Sequence, residues 1–307
     1  MRKSLLVIGL GAREHAIIDK LSSSPYVSNI HIFSSEDNKS LYSSKLCDIT
    51  CISDFHIDND DTKTYFKTIK YIQNNSIDFV FIGPEKYLCD GIVDILDSYN
   101  IPSFGPNKFA SQIESSKIFS KKIMSKLKIP TADYMSFNNS TNAIEYIKQL
   151  KDNTYVIKAD GLASGKGVFL PNTYDKAFDN IVNIMDFNMF GDSGKEIIIE
   201  EKIYGKEVSV FGFCNGSNVE IMPCVQDYKL SRDYNTGINT GGMGSHGPVH
   251  ILTSNEEKLC KKYMESVVKE LNYVGVLYMG LMISNVHNKY NNRLYVLEFN
   301  CRFGDPE

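Results

Sequence analysis

The feature that most constrains the fold is an alternation of apolar strand patterns with amphipathic helix patterns over roughly the first hundred residues. Residues 5–9, 30–33 and 78–82 have the apolar character of buried strands, and residues 14–22 and 61–74 have helical spacing. Strands that alternate with helices of this length favour a parallel sheet. The sequence therefore predicts an α/β domain with a Rossmann-like parallel sheet at the N-terminus.

The pattern changes near residues 101–106, where proline and glycine cluster. A long helical pattern follows, with Asn107 as its N-cap and its end near Leu127. The strands predicted after it are 155–159, 168–170, 197–202, 207–214, 219–225, 274–284 and 293–299, with helices beginning at Thr173 and covering 255–271. We therefore predict a first domain over 1–103 and an α+β domain over 104–307, with a small subdomain over about 128–190.

Composition excludes several classes of protein. The net charge of −4 over 307 residues argues against a general nucleic-acid binder, and no apolar run approaches the ~20 residues of a membrane span. Seven cysteines are scattered without a C-x-x-C pair, which predicts free thiols in a reducing cytoplasm. Cys47 and Cys51 could form half of a metal site, but no second pair completes it, so a short strand is the better interpretation.

A glycine turn follows the first predicted strand and opens a helix, with Gly9, Gly11 and Arg13 in it. Glycines in this context let a phosphate approach a helix N-terminus. A dinucleotide fingerprint would need a glycine where Glu14 stands, although an acidic residue, Glu36, does follow the second strand. A nicotinamide-dependent enzyme therefore stays open as a weak alternative, whereas Arg13 suits a phosphorylated substrate.

A second glycine-rich segment separates two predicted strands and contains Gly161, Gly165, Lys166 and Gly167. It is not a Walker A loop, because three residues instead of four precede the Gly-Lys pair and a strand instead of a helix follows. Such a loop can still fold over phosphates and offer backbone N–H groups, with Lys158 as a fixed positive charge. The alternative is a flexible exposed hairpin tip.

Two further segments are weaker signals. Residues 199–203, which contain Glu200, Glu201 and Ile203, join the glycine-loop unit to the strand-rich unit, where exposed backbone groups could pair with an adenine edge. A polar loop runs from residues 226–229 to a glycine-rich end at 239–244. Long loops of this kind often carry function, and an ordinary surface loop is an equally good interpretation from composition.

The C-terminal segment carries the strongest chemical signal. Side chains alternate along a strand, so Glu298 and Asn300 project to one side and Phe299 to the other. Paired oxygen ligands on a rigid strand suit Mg²⁺, which leaves its other positions to water and substrate phosphates. Arg302 and Asp305 follow at once around a Gly-Asp-Pro turn. The alternative is an edge strand that ends in a polar turn and carries no site.

Together these segments resemble the glycinamide ribonucleotide synthetase family (phosphoribosylamine–glycine ligases) of the ATP-grasp superfamily. The resemblance extends from Val7 to Glu307. The motifs that carry it are Arg13-Glu14-His15-Ala16, Gly83-Pro84-Glu85, Ser116-Lys117, VIKADGLASGKGV at 156–168, residues 239–244 and EFNCRFGDPE at 298–307.

The resemblance implies ligation of glycine to 5-phospho-D-ribosylamine in purine synthesis, with ATP activating the glycine carboxylate as an acyl phosphate. Lys117 and Lys158 would then bind ATP phosphates, the loop 161–167 would close over them, residues 200–203 would hold adenine and Glu207 the ribose. Glu298 and Asn300 would ligate Mg²⁺ or Mn²⁺. The residues implied for catalysis or for the two other substrates are Lys158, Arg302, Asp305, Gly11, Arg13, Glu85, Asp227, Lys229, Thr240 and Gly241.

The resemblance also implies small-molecule partners, without nucleic acid or membrane, and a monomer or weak homodimer. The sequence departs from the family at residues 35–38, Leu230, Asn235 and Ile238, and it stops at Glu307 where the family continues into a further domain, so we expect a truncated chain. Two alternatives stay open: a sister enzyme of the superfamily with other substrates, and an ATP-binding module without catalysis.

Overall fold

The computed structural model describes residues 2–33, 47–52, 62–163, 165–234 and 236–307. The departures from the family at 35–38 and at Asn235 lie outside these ranges, as do Glu36 and the loop residue Ser164. Within the described ranges, three larger sheets make up the framework, and we call them the N-terminal, the small and the large sheet.

The N-terminal sheet consists of five parallel strands in the order β3-β2-β1-β4-β5. Its strands and helices are β1 Lys3–Ile8, α1 Ala12–Ser22, β2 Val27–Phe33, β3 Asp48–Ile52, α2 Thr62–Asn74, β4 Phe79–Ile82, α3 Glu85–Asp90, α4 Ile92–Ser98 and β5 Ser103–Phe104. The parallel α/β sheet predicted from the sequence is confirmed.

Helices cover both faces of the N-terminal sheet, and this explains why β1 is apolar without interruption from Leu5 to Ile8. Val7 packs with Ile18 of α1 on one face, whereas Ile8 packs with Ile69 of α2 on the other. Burial on both faces is typical of parallel strands. The segments that follow β1 and β4 lie side by side, because the Gly83 N–H donates to the Ile8 carbonyl at 3.0 Å.

The small sheet is antiparallel, in the order β6-β9-β7-β8. The elements of this part are α5 Lys108–Ser115, α6 Lys117–Lys126, β6 Tyr134–Phe137, α7 Ser140–Ile147, β7 Tyr155–Ala159, β8 Val168–Phe169, α8 Tyr174–Met185 and β9 Ile197–Glu201. Helices α7 and α8 pack on one face through an apolar cluster. The predicted strands on either side of the glycine loop are confirmed as the antiparallel pair β7 and β8.

The large sheet is also antiparallel, in the order β11-β10-β16-β17. The elements of this part are β10 Gly205–Asn215, β11 Val219–Ile221, β12 Gln226–Asp227, β13 Leu230–Arg232, β14 Thr236–Asn239, β15 Ser245–His246, α9 Ser254–Leu271, β16 Val274–Ser284 and β17 Leu294–Asn300. One face of β16 and β17 joins the main core together with α9, through residues such as Met279, Phe299 and Met264.

The structure corrects three details of the prediction. The helix expected from Asn107 to Leu127 is two helices, because Ser116 is extended (φ −137°, ψ 113°) and its hydroxyl caps α6 by accepting the Phe119 N–H. Strand β11 ends at Ile221 instead of continuing to Val225, since Pro223 has no N–H to donate to a ladder. The polar loop after residue 226 contains two short antiparallel pairs, β12 with β15 and β13 with β14.

No helix among the described residues is long and apolar enough to cross a membrane. The buried cysteines Cys214, Cys224, Cys260 and Cys301 are free thiols. Burial raises the pKa of Cys224 to about 11 and that of Cys214 to about 12, so these thiols stay protonated at neutral pH.

Helix α9 is tied to the start of β17 by an ion pair that should stabilise the large sheet. Arg293 contacts both carboxylate oxygens of Glu256, at 2.7 and 3.2 Å, and Glu256 also closes the capping box with Thr253. Hydrogen bonding from Arg293 is the main cause that lowers the pKa of Glu256 from 4.5 to about 2. This stabilisation is therefore complete above the unfolded pKa and is lost as the pH falls toward the folded one.

We predict that Arg293→Gln lowers the free energy of unfolding by about 1–2 kcal/mol at pH 7. Urea titrations of both proteins at pH 7 and at about pH 3 would check this, and the difference between them should shrink at the lower pH. Lys289→Gln is the matched control, because Lys289 and its partner Asp133 are mostly exposed and such pairs contribute little. Equal losses for the two variants would contradict the prediction.

Candidate active site

A cavity of about 450 Å³ lies where the small sheet faces the large sheet. Strand β7 contributes Lys158 from one side, and β16 and β17 contribute Tyr278 and Glu298 from the other. Most of the candidate residues predicted from the sequence line this cavity. They are Lys117, Lys158, Gly161, Gly165, Gly167, Ile203, Glu207, Glu85, Asp227, Lys229, Thr240, Gly241, Glu298, Asn300, Arg302 and Asp305.

Five candidates do not line the cavity. Lys166 at the tip of the glycine loop and Glu201 at the end of β9 are exposed. Glu200 is buried behind the cavity wall, at 3% exposure. Gly11 and Arg13 lie at the N-terminal turn, and Arg13 contacts the C-terminal segment, donating to the Phe303 carbonyl at 3.3 Å.

Two lysines share one buried carboxylate on strand β9 of the small sheet. Lys158 contacts one oxygen of Glu200, and Lys121 contacts the other at 2.6 Å. Burial alone would raise the pKa of Glu200, but Lys158 and Lys121 bring it below its ordinary value. Burial would likewise lower the pKa of Lys158, but Glu200 and Glu298 raise it. Glu200 and Lys158 are therefore charged at neutral pH.

The glycine loop is fastened to the start of α6. The Lys117 ammonium donates to the Gly161 carbonyl at 3.2 Å, and its backbone N–H donates to the Asp160 carbonyl at the same distance. Asp160 also accepts the Ile118 N–H at 2.7 Å. Gly165 has φ +73°, a backbone conformation that favours glycine. These contacts place backbone groups of the loop beside Lys117.

Strand β17 presents Glu298 and Asn300 to the cavity, opposite Gly280 and Tyr278 of β16. The neighbouring Phe299 packs in the apolar core, at 1% exposure. Burial would raise the pKa of Glu298, but Lys158, Lys229 and Lys117 lower it. The site therefore keeps an ionised carboxylate, which accepts a hydrogen bond from the Asn300 amide nitrogen at 3.4 Å.

These donors fit a hard divalent cation. Carboxylate and amide oxygens are suitable ligands for Mg²⁺, which usually takes one or two protein carboxylates and completes its shell with phosphates and water. Among the described residues, no group of three or more His, Cys, Asp and Glu side chains is arranged to hold an ion. Glu298 and Asn300 are two oxygen ligands, which would leave the other positions of such an ion to phosphate and water.

Further carboxylates surround Lys229 at the other end of the cavity. Asp227 lies 3.2 Å from the Lys229 ammonium. Burial raises the pKa of Asp227 and of Glu207, while Lys229 opposes the rise in both. Lys229 itself has a raised pKa, because Glu298 and Asp227 outweigh its burial. This end of the cavity thus has one cation among several carboxylates.

The C-terminal segment 301–307 joins the cavity to the N-terminal sheet. Arg302 lies between two carboxylates, 3.2 Å from Glu85 and 3.1 Å from Glu114. Glu114 also accepts the Cys301 N–H at 2.7 Å. Burial would lower the pKa of Arg302, but Glu114 and Glu85 raise it. Arg302 is therefore a fixed cation at the cavity wall.

Sequence reasoning missed several residues of the site. The cavity is also lined by Glu114, Lys121, Ser209 and Tyr278. A signal existed for two of them: Glu114 and Lys121 occupy the buried faces of α5 and α6, at helical spacing from Ala110 and Lys117. The contact of Tyr278 with Glu307 at 2.8 Å left no such signal.

At the N-terminal turn the Glu14 carboxylate accepts the Gly11 N–H at 2.7 Å and the Arg13 side-chain N–H at 2.6 Å. It thus occupies the position where a dinucleotide fingerprint would bring a phosphate to the helix. This geometry argues against the nicotinamide alternative. Gly83 lies directly against Glu14, and a Cβ at position 83 would overlap the carboxyl group.

We predict that Gly83→Ala lowers the free energy of unfolding by about 1–3 kcal/mol, because Glu14 must leave its buried hydrogen bonds. Chemical denaturation followed by circular dichroism would measure the loss. Gly241→Ala is the control for stability, since a Cβ there meets nothing within 4 Å. A loss at Gly83 no larger than that at Gly241 would show that the turn accommodates the methyl group.

Comparisons with known proteins agree with this geometry. The phosphoribosylamine–glycine ligase of Streptococcus pneumoniae is 39% identical over 99% of this chain and 69% of its own length. That of Caldanaerobacter subterraneus is 41% identical over 99% and 70%. The crystal structure of the Thermotoga maritima phosphoribosylamine–glycine ligase superposes with a TM-score of 0.77 at 29% identity, covering 99% of this chain and 70% of that one.

Family descriptions cover nearly the whole sequence. Residues 3–114 match the N domain of phosphoribosylglycinamide synthetases, and residues 115–307 match their ATP-grasp (A) domain. The resemblance found in the motifs is thereby confirmed, as is the expected architecture of a parallel-sheet domain followed by an ATP-grasp domain. The chain belongs to the phosphoribosylglycinamide synthetase (phosphoribosylamine–glycine ligase) family.

Proposed function

We propose that the cavity is the site where this ATP-dependent carbon–nitrogen ligase joins glycine to 5-phospho-D-ribosylamine. The products are glycinamide ribonucleotide, ADP and phosphate, in de novo purine biosynthesis. The observation that carries the assignment is the convergence of Lys117, Lys158, Glu298 and Asn300 on one cavity. Phosphoryl transfer depends mainly on positioning and on neutralising charge, and this set of residues supplies both.

ATP would occupy the side of the cavity formed by the small sheet. Lys117 and Lys158 would bind its phosphates, and the glycine loop would cover them with backbone N–H groups. The backbone of residues 200–203 would hold adenine, with Glu207 on the ribose. The positions of Ile203 and Glu207 in the cavity lining support this orientation.

The ion is proposed to be Mg²⁺ or Mn²⁺, held by Glu298 and Asn300. When bound, it would neutralise negative charge on the phosphate oxygens. Ionised Glu298 beside the Asn300 amide supports this choice.

Glycine and the sugar amine would occupy the side near the C-terminal segment. The glycine carboxylate attacks the γ-phosphorus, which gives glycyl phosphate and ADP. The amine of phosphoribosylamine then attacks the acyl carbon, the amide bond forms, and phosphate leaves with the C–O bond electrons while the amine loses a proton. Arg302, Asp305, Asp227 and Lys229 would position these groups, because all four line the cavity.

The sugar phosphate would reach the carboxyl edge of the N-terminal sheet. Gly11, Arg13 and Glu85 are the proposed contacts there, with Thr240 and Gly241 on the opposite loop. The contact of Arg13 with the Phe303 carbonyl supports this placement, since it puts the turn next to Arg302.

The proposed units are the substrate-side domain 1–103 and the ATP-grasp domain 104–307, whose residues 128–190 would act as a lid against water.

The proposed partners are the small substrates, with a monomer or weak homodimer as the working form in a reducing cytoplasm. Buried free thiols support the reducing compartment. A non-catalytic ATP-binding module is the less favoured alternative, because the chain keeps both phosphate lysines and both metal-site residues in one cavity.

The function is tested by ADP release with ATP, Mg²⁺, glycine and freshly generated phosphoribosylamine, with each substrate omitted in turn. We expect turnover that requires both glycine and the sugar amine. ATP binding without turnover in the complete mixture would favour the non-catalytic module. Turnover with a different acid or amine would instead identify a sister enzyme.

We predict that Glu298→Gln lowers metal-dependent turnover by about a hundredfold or more, since the ion would lose its charged ligand. Rates measured across a Mg²⁺ titration, with circular dichroism as the folding check, would show it. Glu220→Gln on β11 is the control, because that carboxylate is 85% exposed in the same large sheet. An unchanged rate in Glu298→Gln would refute the metal assignment.

A further inference from the structure

A buried charge cluster lies at the proposed phosphate site, and one of its members, Lys121, has no role in the proposed ligation. It consists of Lys158, Glu200 and Lys121, joined as two ion pairs on one carboxylate. Lys121 is 2% exposed, and Glu200 is 3% exposed. Lys121 comes from α6, whereas Glu200 and Lys158 come from the paired strands β9 and β7.

The Lys121 ammonium is oriented by several groups at once. Besides Glu200 it donates to the Thr131 hydroxyl at 2.7 Å and lies 5.5 Å from the centre of the Tyr134 ring. Burial lowers the pKa of Lys121, while Glu200 opposes the shift. A cation buried this deeply requires a partner to stay charged, and Glu200 is the nearest one.

We propose that Lys121 is a positioning residue for ATP binding: it neutralises Glu200, so that this carboxylate does not compete with the nucleotide phosphate for Lys158. The inference rests on the proposed function, because it takes Lys158 as a phosphate ligand. Lys121 also lines the cavity, and its proposed effect on ATP binding passes through Glu200.

The charge count of the cluster explains the effect. With Lys121 present, two cations face one carboxylate, and the cluster carries one net positive charge toward the cavity. Without Lys121, Lys158 and Glu200 form a neutral pair, and a phosphate would have to compete with a buried carboxylate for the same ammonium. Such competition is costly where the dielectric is low.

The same residue also connects the small sheet to the metal-binding strand. Thr131, which accepts from Lys121, donates to the Val296 carbonyl at 2.6 Å, and the Val296 N–H donates to the Pro130 carbonyl at 2.8 Å. Val296 lies on β17, two positions before Glu298. Lys121 thus links the strands that carry Lys158 and Glu200 to β17, which carries Glu298 and Asn300.

The test is equilibrium binding of ATP with Mg²⁺, in the absence of glycine and phosphoribosylamine. We expect Lys121→Met to weaken ATP binding about tenfold. Lys121→Gln should do the same, because it can keep a hydrogen bond to Thr131 but not the charge. Lys122→Met, on the exposed side of the same helix, should bind ATP as the wild type does.

The decisive variant is Lys121→Met combined with Glu200→Gln. Once Glu200 is neutral, it no longer competes with the phosphate for the Lys158 ammonium, so we expect the double variant to bind ATP about threefold or more tightly than Lys121→Met alone. A double variant as weak as Lys121→Met, or weaker, would overturn the inference and leave Lys121 a packing role. Thermal unfolding of each variant identifies any that do not fold, and Lys121→Gln carries the test if Lys121→Met is unfolded.

Failure of the proposed function gives a different result. A wild-type protein that does not bind ATP would refute the phosphate site itself. A wild type that binds ATP, together with Lys121→Gln at the same affinity, would refute the role of Lys121 and leave the phosphate site standing.

Discussion

The site depends on the matching of buried charges of opposite sign. Ionised groups are expensive to bury unless each has a partner, and here lysines from the small sheet and α6 face carboxylates from both antiparallel sheets. Glu200 holds two lysines within the small sheet, whereas Glu298 on the large sheet is kept ionised by Lys158 and its neighbours. Lys158 of the small sheet and Glu298 of the large sheet thus attract each other across a cavity that still has room for a charged ligand.

The C-terminal segment extends the same principle to the N-terminal sheet. Arg302 is placed between Glu85, which begins α3, and Glu114, which lies on α5. A single cation thus joins the end of β17 to two helices that precede the small sheet. This arrangement explains how a turn near Arg13 comes to lie beside a cavity built almost entirely from residues that follow the N-terminal sheet.

Patterns within single segments predicted much of the fold and of the candidate site. Contacts between segments that are distant in the sequence could not be predicted from such patterns. Alternation along β17 was enough to place Glu298 and Asn300 on the same side, because a strand has a period of two. The helix break at Ser116 was not predicted, since helical spacing continues through it. The break depends on the hydrogen bond that the Ser116 hydroxyl accepts from the Phe119 N–H. The pairing of Lys121 with Glu200 depends on how α6 packs against β9, and no local pattern encodes that.

The most direct test of the account is an experimental structure of the protein with a non-hydrolysable ATP analogue and Mg²⁺. The account predicts the phosphates between Lys117 and Lys158, under the glycine loop, with the ion on Glu298 and Asn300. The adenine should then lie against the backbone of residues 200–203. A nucleotide bound at the Gly9–Gly11 turn, or an ion away from β17, would contradict it.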